Sequence, residues 1–321
     1  MAKKISVGID LGGTKIMAVI FDKNFNVLGS ERVPTEGHKG SKEGLKRILS
    51  TVNLTIESAG LSKDDVVACG IGCPGVVDFS SGVLREAANL GWKDVEVGRY
   101  LSKKLDAEVV VLNDVDAGTY GEYHLGSAQG AHSVFGVFPG TGVGGGFVYD
   151  GRILRGKTAS CMEFGRYRML GSTLEGDLHE PVALEILCGR LGIASSCVIE
   201  ASRGNASSIM ENAGTDIRKI KSGIIKKSID AGEENVLQIM KRSIYYLGVG
   251  VTSVVELLAP EVVVLGGGLV EKMPELYLEG VKDVVHKYGS KALADGVDFR
   301  VAKTGDLAVA IGAASYALER A

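Results

Sequence analysis

The chain has 321 residues, which exceeds a single core of usual size and fits two domains of roughly 100–200 residues each. Hydrophobic residues make up 45% and charged residues 23%, the balance of an ordinary globular protein and not of a disordered one. The net charge of −3 excludes the basic footprint of a nucleic-acid binder, and no apolar run reaches the ~18 residues of a membrane span.

The first ten residues, MAKKISVGID, carry two lysines but no apolar stretch leading to a small-residue cleavage site, so no secretory leader is expected. Residues 4–9 and 16–21 read as strands joined by the tight run Asp10-Leu11-Gly12-Gly13-Thr14-Lys15, with a turn at 22–24 and a third strand over 26–33. Ser41 is placed to cap a helix in which Leu45, Ile48, Leu49, Val52 and Ile56 recur at helical spacing. Residues 66–72 form an apolar strand that leaves into Cys73-Pro74-Gly75, and 108–112 form another that ends at Asn113-Asp114. The carboxyl end of a strand is where α/β folds place their chemistry.

Residues 135–150 can be laid without gaps on residues 7–22, so that Gly8 meets Gly136, Gly12 meets Gly140 and Asp22 meets Asp150. Both stretches are strand, glycine turn, strand, aspartate turn. This predicts two related lobes, each presenting a glycine-rich hairpin to a shared cleft. The last third reads as largely helical: a long apolar-periodic stretch from Asn235 to Leu258 broken by Gly248 and Gly250, a buried strand over 262–265 running into Gly266-Gly267-Gly268, and a terminal helix over 307–319 with Leu307, Ala310, Ile311, Ala314 and Leu318 along one face. The five cysteines (Cys69, Cys73, Cys161, Cys188, Cys197) include no C-x-x-C pair and read as small buried residues of a reducing compartment.

Three glycine turns thus follow three buried strands, at 12–13, 140–146 and 266–268. Backbone N–H groups can approach a polyphosphate where no Cβ stands in the way. The pattern is neither G-x-x-x-x-G-K-[ST] nor a strand–G-x-G-x-x-G–helix, because a strand follows each of the first two turns. Asp10 reads either as a carboxylate that stabilises its turn or as a contact to Mg²⁺ on the phosphates. Asp114 reads either as a helix cap or as the general base for a hydroxyl. A polyphosphate donor would call for basic residues around the cleft mouth; Arg152, Arg155 and Lys157 form only a small cluster, which reads as a solvated hairpin tip.

These motifs, in this order, resemble the ROK family of bacterial sugar kinases and repressors. Asp10–Lys15 is similar to its first phosphate turn, Gly70–Asp78 and Ala88–Trp92 to its sugar-side loops, Asn113–Glu122 to its catalytic segment, Gly140–Gly146 to its second phosphate turn, and Pro260–Gly268 to its adenosine-side strand and turn. The resemblance implies an α/β, actin-like ATPase (ribonuclease H-like) fold of two duplicated lobes with a central cleft. The smaller lobe is expected over 1–115 plus 305–321 and the larger over 116–304. It implies Asp114 as the base. Asn113, Gly75, Asn89 and Glu163 are implied as sugar-side residues. Asp10, Gly12, Gly13, Thr14, Lys15, Gly140, Thr141, Gly142, Gly266, Gly267 and Gly268 are implied around ATP, with Mg²⁺ tied through Asp10.

Two departures from the family pattern stand out. Where the family shows G-E-x-G-H, this chain has Met162-Glu163-Phe164-Gly165-Arg166; a permanently cationic Arg166 either meets an anionic or differently shaped substrate group or swings to solvent. Of the family's C-x-C-G-x-x-G-C zinc loop only Cys188-Gly189 remains, so no structural zinc is expected. The family's further sugar-binding glutamate matches Glu185, or else Glu175; Glu185 also reads as a plain surface helix residue. The expected activity is phosphorylation of a hexose or hexose-like hydroxyl by ATP at O6, with lobe closure expelling water. The alternatives are a drifted substrate (amino sugar, sugar acid or cyclitol) or a non-catalytic sugar sensor. A homodimer in the cytoplasm is expected, with neither nucleic acid nor membrane as partner.

Overall fold

The computed structural model describes residues 4–157, 159, 162–170 and 181–320, with Leu170 through its backbone alone. Cys161 and Glu175 lie outside the described residues.

The chain opens with the expected meander: β1 (Ile5–Leu11), β2 (Lys15–Phe21) and β3 (Val27–Pro34), each antiparallel to the next. α1 (Ser41–Ser58) follows, but Ser41 does not cap it. A 3₁₀ turn over Gly37–Lys39 hands the chain to Gly40, whose φ of +87° makes it the cap and leaves Ser41 as the first helical residue. β4 (Val66–Cys73) runs parallel to β1. β5 (Val76–Asp78), β6 (Val83–Ala87) and β7 (Trp92–Val95) make a small antiparallel sheet. After α2 (Val97–Leu105), β8 (Val109–Asn113) pairs parallel with β4, giving the sheet order β3-β2-β1-β4-β8, and α3 (Asp114–His124) leaves its carboxyl end.

A second hairpin begins with β9 (Ser133–Pro139) and returns along β10 (Val143–Tyr149), which pairs with the short β11 (Arg152–Ile153). Beyond it come β12 (Arg168–Leu170), β13 (Pro181–Ala183), α4 (Leu184–Cys188), α5 (Arg190–Ser202), α6 (Ser207–Ala213), α7 (Ser222–Asp230) and α8 (Glu234–Leu258). β14 (Val262–Leu265), α9 (Pro274–Tyr288), α10 (Lys291–Ala294), β15 (Asp298–Val301) and α11 (Ala308–Leu318) complete the order. β14 pairs parallel with both β9 and β15. Both hairpins therefore consist of two seven-residue strands around a glycine corner, and in both the first strand lies beside parallel neighbours.

The chain divides into two compact units: Met1–His132, Gly146–Cys161 and Lys303–Ala321 in the first, Ser133–Gly145 and Met162–Ala302 in the second. The division falls after α3 and not at residue 115, because α3 packs along α11. In the first unit the sheet's two faces are read off the alternation of β2. Ile16, Ala18 and Ile20 join the core under α1 and α2, while Met17, Val19 and Phe21 pack with Ala310, Ile311 and Ala314 of α11.

α11 is buried nearly all round, and not along one face only, because small residues let backbones touch on several sides. Gly8 and Gly70 are register partners on β1 and β4, and a Cβ on either would overlap the carbonyl of Ala310 or Ala313. A Cβ on Gly312 would overlap the Ala117 carbonyl of α3, and one on Gly121 the Ala308 carbonyl. In the second unit, α8 runs unbroken through Gly248 and Gly250. These glycines are packing positions. A Cβ on Gly248 would stand 2.6 Å from Val284 of α9, and one on Gly250 would stand 2.9 Å from Phe164 and 3.0 Å from Leu184.

Candidate functional site

In the first unit, the carboxyl ends of β1, β4 and β8 gather two carboxylates round one glycine. Asp10 is the register partner of Gly72, and Cys73 that of Asn113. A Cβ on Gly72 would lie 3.4 Å from the Cα of Asp114. Asp10 and Asp114 both act on the thiol of Cys73, which burial, then Asp114, then Asp10 hold well above its usual range. Burial also pushes the Asp10 carboxyl up to about 6, with Lys15 and Arg32 opposing and Asp306 adding to the shift.

Asn113 caps α3, a role the sequence offered to Asp114. Its Oδ1 accepts from the amides of Val115 (2.8 Å) and Asp116 (3.2 Å), and its Nδ2 donates to the Gly75 carbonyl at 3.0 Å. Asp114 is the first helical residue, with its Oδ1 3.0 Å from the Val115 amide. Gly75 has φ +88°, and a Cβ there would overlap the Glu86 carbonyl, so only glycine allows this approach. The corner at Gly12–Thr14 is closed by Gly12 N–H donating to Lys15 O (2.9 Å) and is fixed to β3 by Thr35, whose hydroxyl donates to Gly12 O (2.7 Å) and whose N–H donates to Thr14 O (2.9 Å). A Cβ on Gly13 would lie 3.0 Å from Nδ2 of Asn89, so that side chain comes to the same corner. Lys15 and Arg32 both reach Asp306, at 3.9 and 2.9 Å. The first unit therefore brings together Asp10, Gly12, Gly13, Thr14, Lys15, Gly75, Asn89, Asn113 and Asp114 at one end of its sheet.

In the second unit, the Gly140 N–H donates to Gly142 O at 2.9 Å, and the corner's carbonyls accept from the start of α5: Arg190 N–H to Gly140 O (2.9 Å) and Leu191 N–H to Thr141 O (3.3 Å). The Arg190 guanidinium, its pKa lowered by burial, donates to the Thr141 hydroxyl (3.3 Å) and to Ile220 O (3.1 Å). Sequence reasoning did not find Arg190, which no glycine pattern marks. Gly266 N–H donates to Val137 O (2.9 Å), and a Cβ on Gly267 (φ +83°) would stand 3.0 Å from Pro139 O. The turn at Gly266–Gly268 is thereby set against the strand that leads into the 140–142 corner.

A Cβ on Gly142 would overlap Oε2 of Glu185, and one on Gly165 would stand 3.3 Å from the Glu185 Cβ. Glu185 is thus wedged between the second glycine corner and the Glu163–Arg166 turn. Arg166 is 68% exposed and leans back on Glu163, Nε to Oε2 3.3 Å.

One residue within the quoted motif carries more contacts than sequence reasoning assigned to it. Glu122, fully buried at the end of α3, accepts from the amide (2.7 Å) and hydroxyl (2.9 Å) of Ser127, from the amides of Lys303 (2.9 Å) and Thr304 (2.7 Å), and from the Thr304 hydroxyl. Burial opposes its ionisation, but these donors outweigh it and leave the carboxyl below its usual range. Two of these partners, Lys303 and Thr304, lie some 180 residues away in sequence, beyond the reach of any spacing rule.

Mg²⁺ takes oxygen ligands and keeps several waters, so it asks the protein for one or two carboxylates beside substrate phosphates. Asp10, half-buried and next to a glycine corner, fits that demand.

Known proteins resemble this chain along almost its whole length. The glucokinase of Halalkalibacterium halodurans is 28% identical over 319 residues, covering 97% of this chain and 94% of its own. The structure of a ROK hexokinase from Thermus thermophilus superposes with a TM-score of 0.78 at 29% identity, with 98% of each chain covered. That of a ROK family glucokinase from Streptomyces griseus, in complex with glucose and AMPPNP, gives 0.81 at 24%, covering 98% and 99%. A xylose repressor of Caldicellulosiruptor bescii is 22% identical over 95% of this chain and 76% of its own. The fold is the actin-like ATPase fold of these sugar kinases. The ROK family model matches residues 6–320, through both glycine corners and the Asn113–Asp114 strand end, and the chain belongs to the ROK family.

Proposed function

We propose that this protein transfers the γ-phosphoryl group of ATP to the O6 hydroxyl of a hexose or hexose-like sugar. The observation that carries this reading is the pair Asp10 and Asp114 set about Gly72 at the carboxyl end of parallel strands, beside a glycine corner. One carboxylate is placed for the phosphates and the other for a hydroxyl. Asp114 accepts the hydroxyl proton as the sugar oxygen bonds to the γ-phosphorus and the bond from that phosphorus to the ADP oxygen breaks. Asn113, held by Gly75 and the helix amides, and Asn89 orient the sugar. Glu163 and Glu185 are the further carboxylates for its hydroxyls. The corners at Gly12–Thr14 and Gly140–Gly142, with Lys15 and the Gly266–Gly268 turn, bind the nucleotide through backbone N–H groups. Asp10 would hold Mg²⁺, which neutralises charge on the phosphates when bound.

The glucokinase relatives and the AMPPNP complex of the Streptomyces griseus protein support ATP and a hexose as ligands. A second reading rests on Arg166. Because it pairs with Glu163, the substrate is one whose own anionic or altered group meets the arginine (an amino sugar, sugar acid or cyclitol), or the protein senses sugar without turnover; one relative bears the name xylose repressor. ADP release from Mg·ATP, measured across glucose, mannose, fructose, N-acetylated hexosamines, sugar acids and inositols, separates these readings. Release above the ATPase background with one sugar supports the kinase and identifies its acceptor; silence with all of them, while ATP still binds, overturns it. Homodimerisation and a cytoplasmic location belong to the same proposal, and light scattering of the purified protein checks the first.

A further inference from the structure

β11 and the segment that follows it carry Arg152, Arg155 and Lys157. These cations, which the sequence reads as a solvated tip, line a cavity of about 350 Å³ in the first unit together with Phe79 and Ser80. No carboxylate lines it among the described residues. The guanidinium carbon of Arg155 lies 3.5 Å from the centre of the Phe79 ring. Phe79 stands edge-on to Tyr316 at 5.8 Å, and Tyr316 edge-on to the buried Tyr120 at 4.9 Å. Arg155 is therefore mounted on a packed aromatic column. A guanidinium stacked by its face keeps its N–H edge free for two parallel bonds to a tetrahedral oxyanion. Asp78, next to Phe79 in sequence, is already engaged by Arg85 at 2.7 Å and by the Ser80 hydroxyl at 2.7 Å, so it does not cancel the three cations.

We propose that this cavity binds a small phosphoryl-bearing anion, with Arg155 as the bidentate anchor and Arg152 and Lys157 balancing its remaining charge. The volume lies at the lower end of small-ligand sites, roughly 300–1,000 Å³. It suits a phosphorylated hexose or a short oligophosphate, which share the terminal phosphoryl group that Arg155 would read. The inference stands independently of the kinase reading, since none of these residues belongs to the groups placed around ATP or the sugar.

Calorimetric titration of the protein with tripolyphosphate and with glucose 6-phosphate, each in the presence of saturating AMPPNP, tests it. Binding is expected to persist with the nucleotide analogue in place, to weaken steeply with added salt, and to fall about tenfold or more in Arg155→Gln, the loss of one charge-assisted contact. Tighter binding of tripolyphosphate identifies an oligophosphate ligand; tighter binding of the sugar phosphate identifies a phosphorylated sugar. Acetylation of Lys157 in the wild-type protein, followed by mass spectrometry, gives a readout that does not depend on a variant folding, and the bound anion is expected to protect it. Loss of anion binding once AMPPNP is present, or equal affinity in Arg155→Gln with Lys157 unprotected, overturns the proposal.

Discussion

At the scale of single residues, Asp114, Glu122 and Arg166 make separable predictions. Asp114→Asn keeps the shape and the Val115 contact but cannot take a proton. Sugar-dependent ADP release is expected to fall by about a hundredfold or more while nucleotide affinity, read by calorimetry, is retained. Normal turnover in that variant would remove Asp114 from the mechanism. Glu122→Gln replaces one of two accepting oxygens with an NH₂ facing backbone donors, so a loss of about 3 kcal/mol in denaturant unfolding is expected. The sign of its pH dependence follows from the lowered pKa. Its contribution is present above the unfolded carboxyl value of about 4.3 and is lost as pH falls through the lower folded value, so the gap between wild type and variant narrows on acidification. Arg166→His frees Glu163 and is expected to raise kcat/KM for glucose relative to the other sugars by about tenfold. An unchanged profile places Arg166 outside specificity. The glycine corners and the strand-end aspartates were legible in the sequence because their backbone demands leave a local trace. Glu122 and Arg190 were not, since each is defined by partners from distant elements.

At the scale of elements, the glycines divide into those that make turns and those that let backbones touch. The sequence does not distinguish them. Gly248 and Gly250 look like breaks because glycine is poor in helix interiors, yet burying α8 against Val284, Phe164 and Leu184 outweighs a propensity cost of about 1 kcal/mol each. The same logic governs α11. Gly70→Ala drives a methyl into the Ala313 carbonyl, and Gly312→Ala drives one into that of Ala117. Because backbone cannot step aside as a side-chain tip can, each variant is expected to lose about 3 kcal/mol or more in thermal or denaturant unfolding. Wild-type stability in Gly70→Ala would mean that α11 sits elsewhere. Gly142→Ala, by contrast, meets only the end of the Glu185 side chain and is expected to cost far less. The duplicated hairpin was readable at this scale because both copies keep seven-residue strands around a glycine corner.

At the scale of the whole molecule, the division into two units was foreseeable from length and from the repeated hairpin, but its position was set by packing that no local pattern displays. α3 belongs with the first unit because Gly121 and Gly312 join it to α11. Removing residues 303–320 should therefore leave the first unit digestible by protease while the second resists; equal resistance would show that α11 is dispensable. The placement of α11 also has a consequence for synthesis. The sheet of the first unit is complete in sequence by Asn113, but the helix that fills its glycine-lined face begins only at Ala308. On the ribosome, strands made early wait, one face open, through translation of the entire second unit. Gly8 and Gly70 keep the middle of that waiting face bare, but Met17, Val19 and Phe21 stand open along β2 until α11 covers them. A sheet built to receive a helix this late carries its stickiest strip uncovered for most of the chain's synthesis.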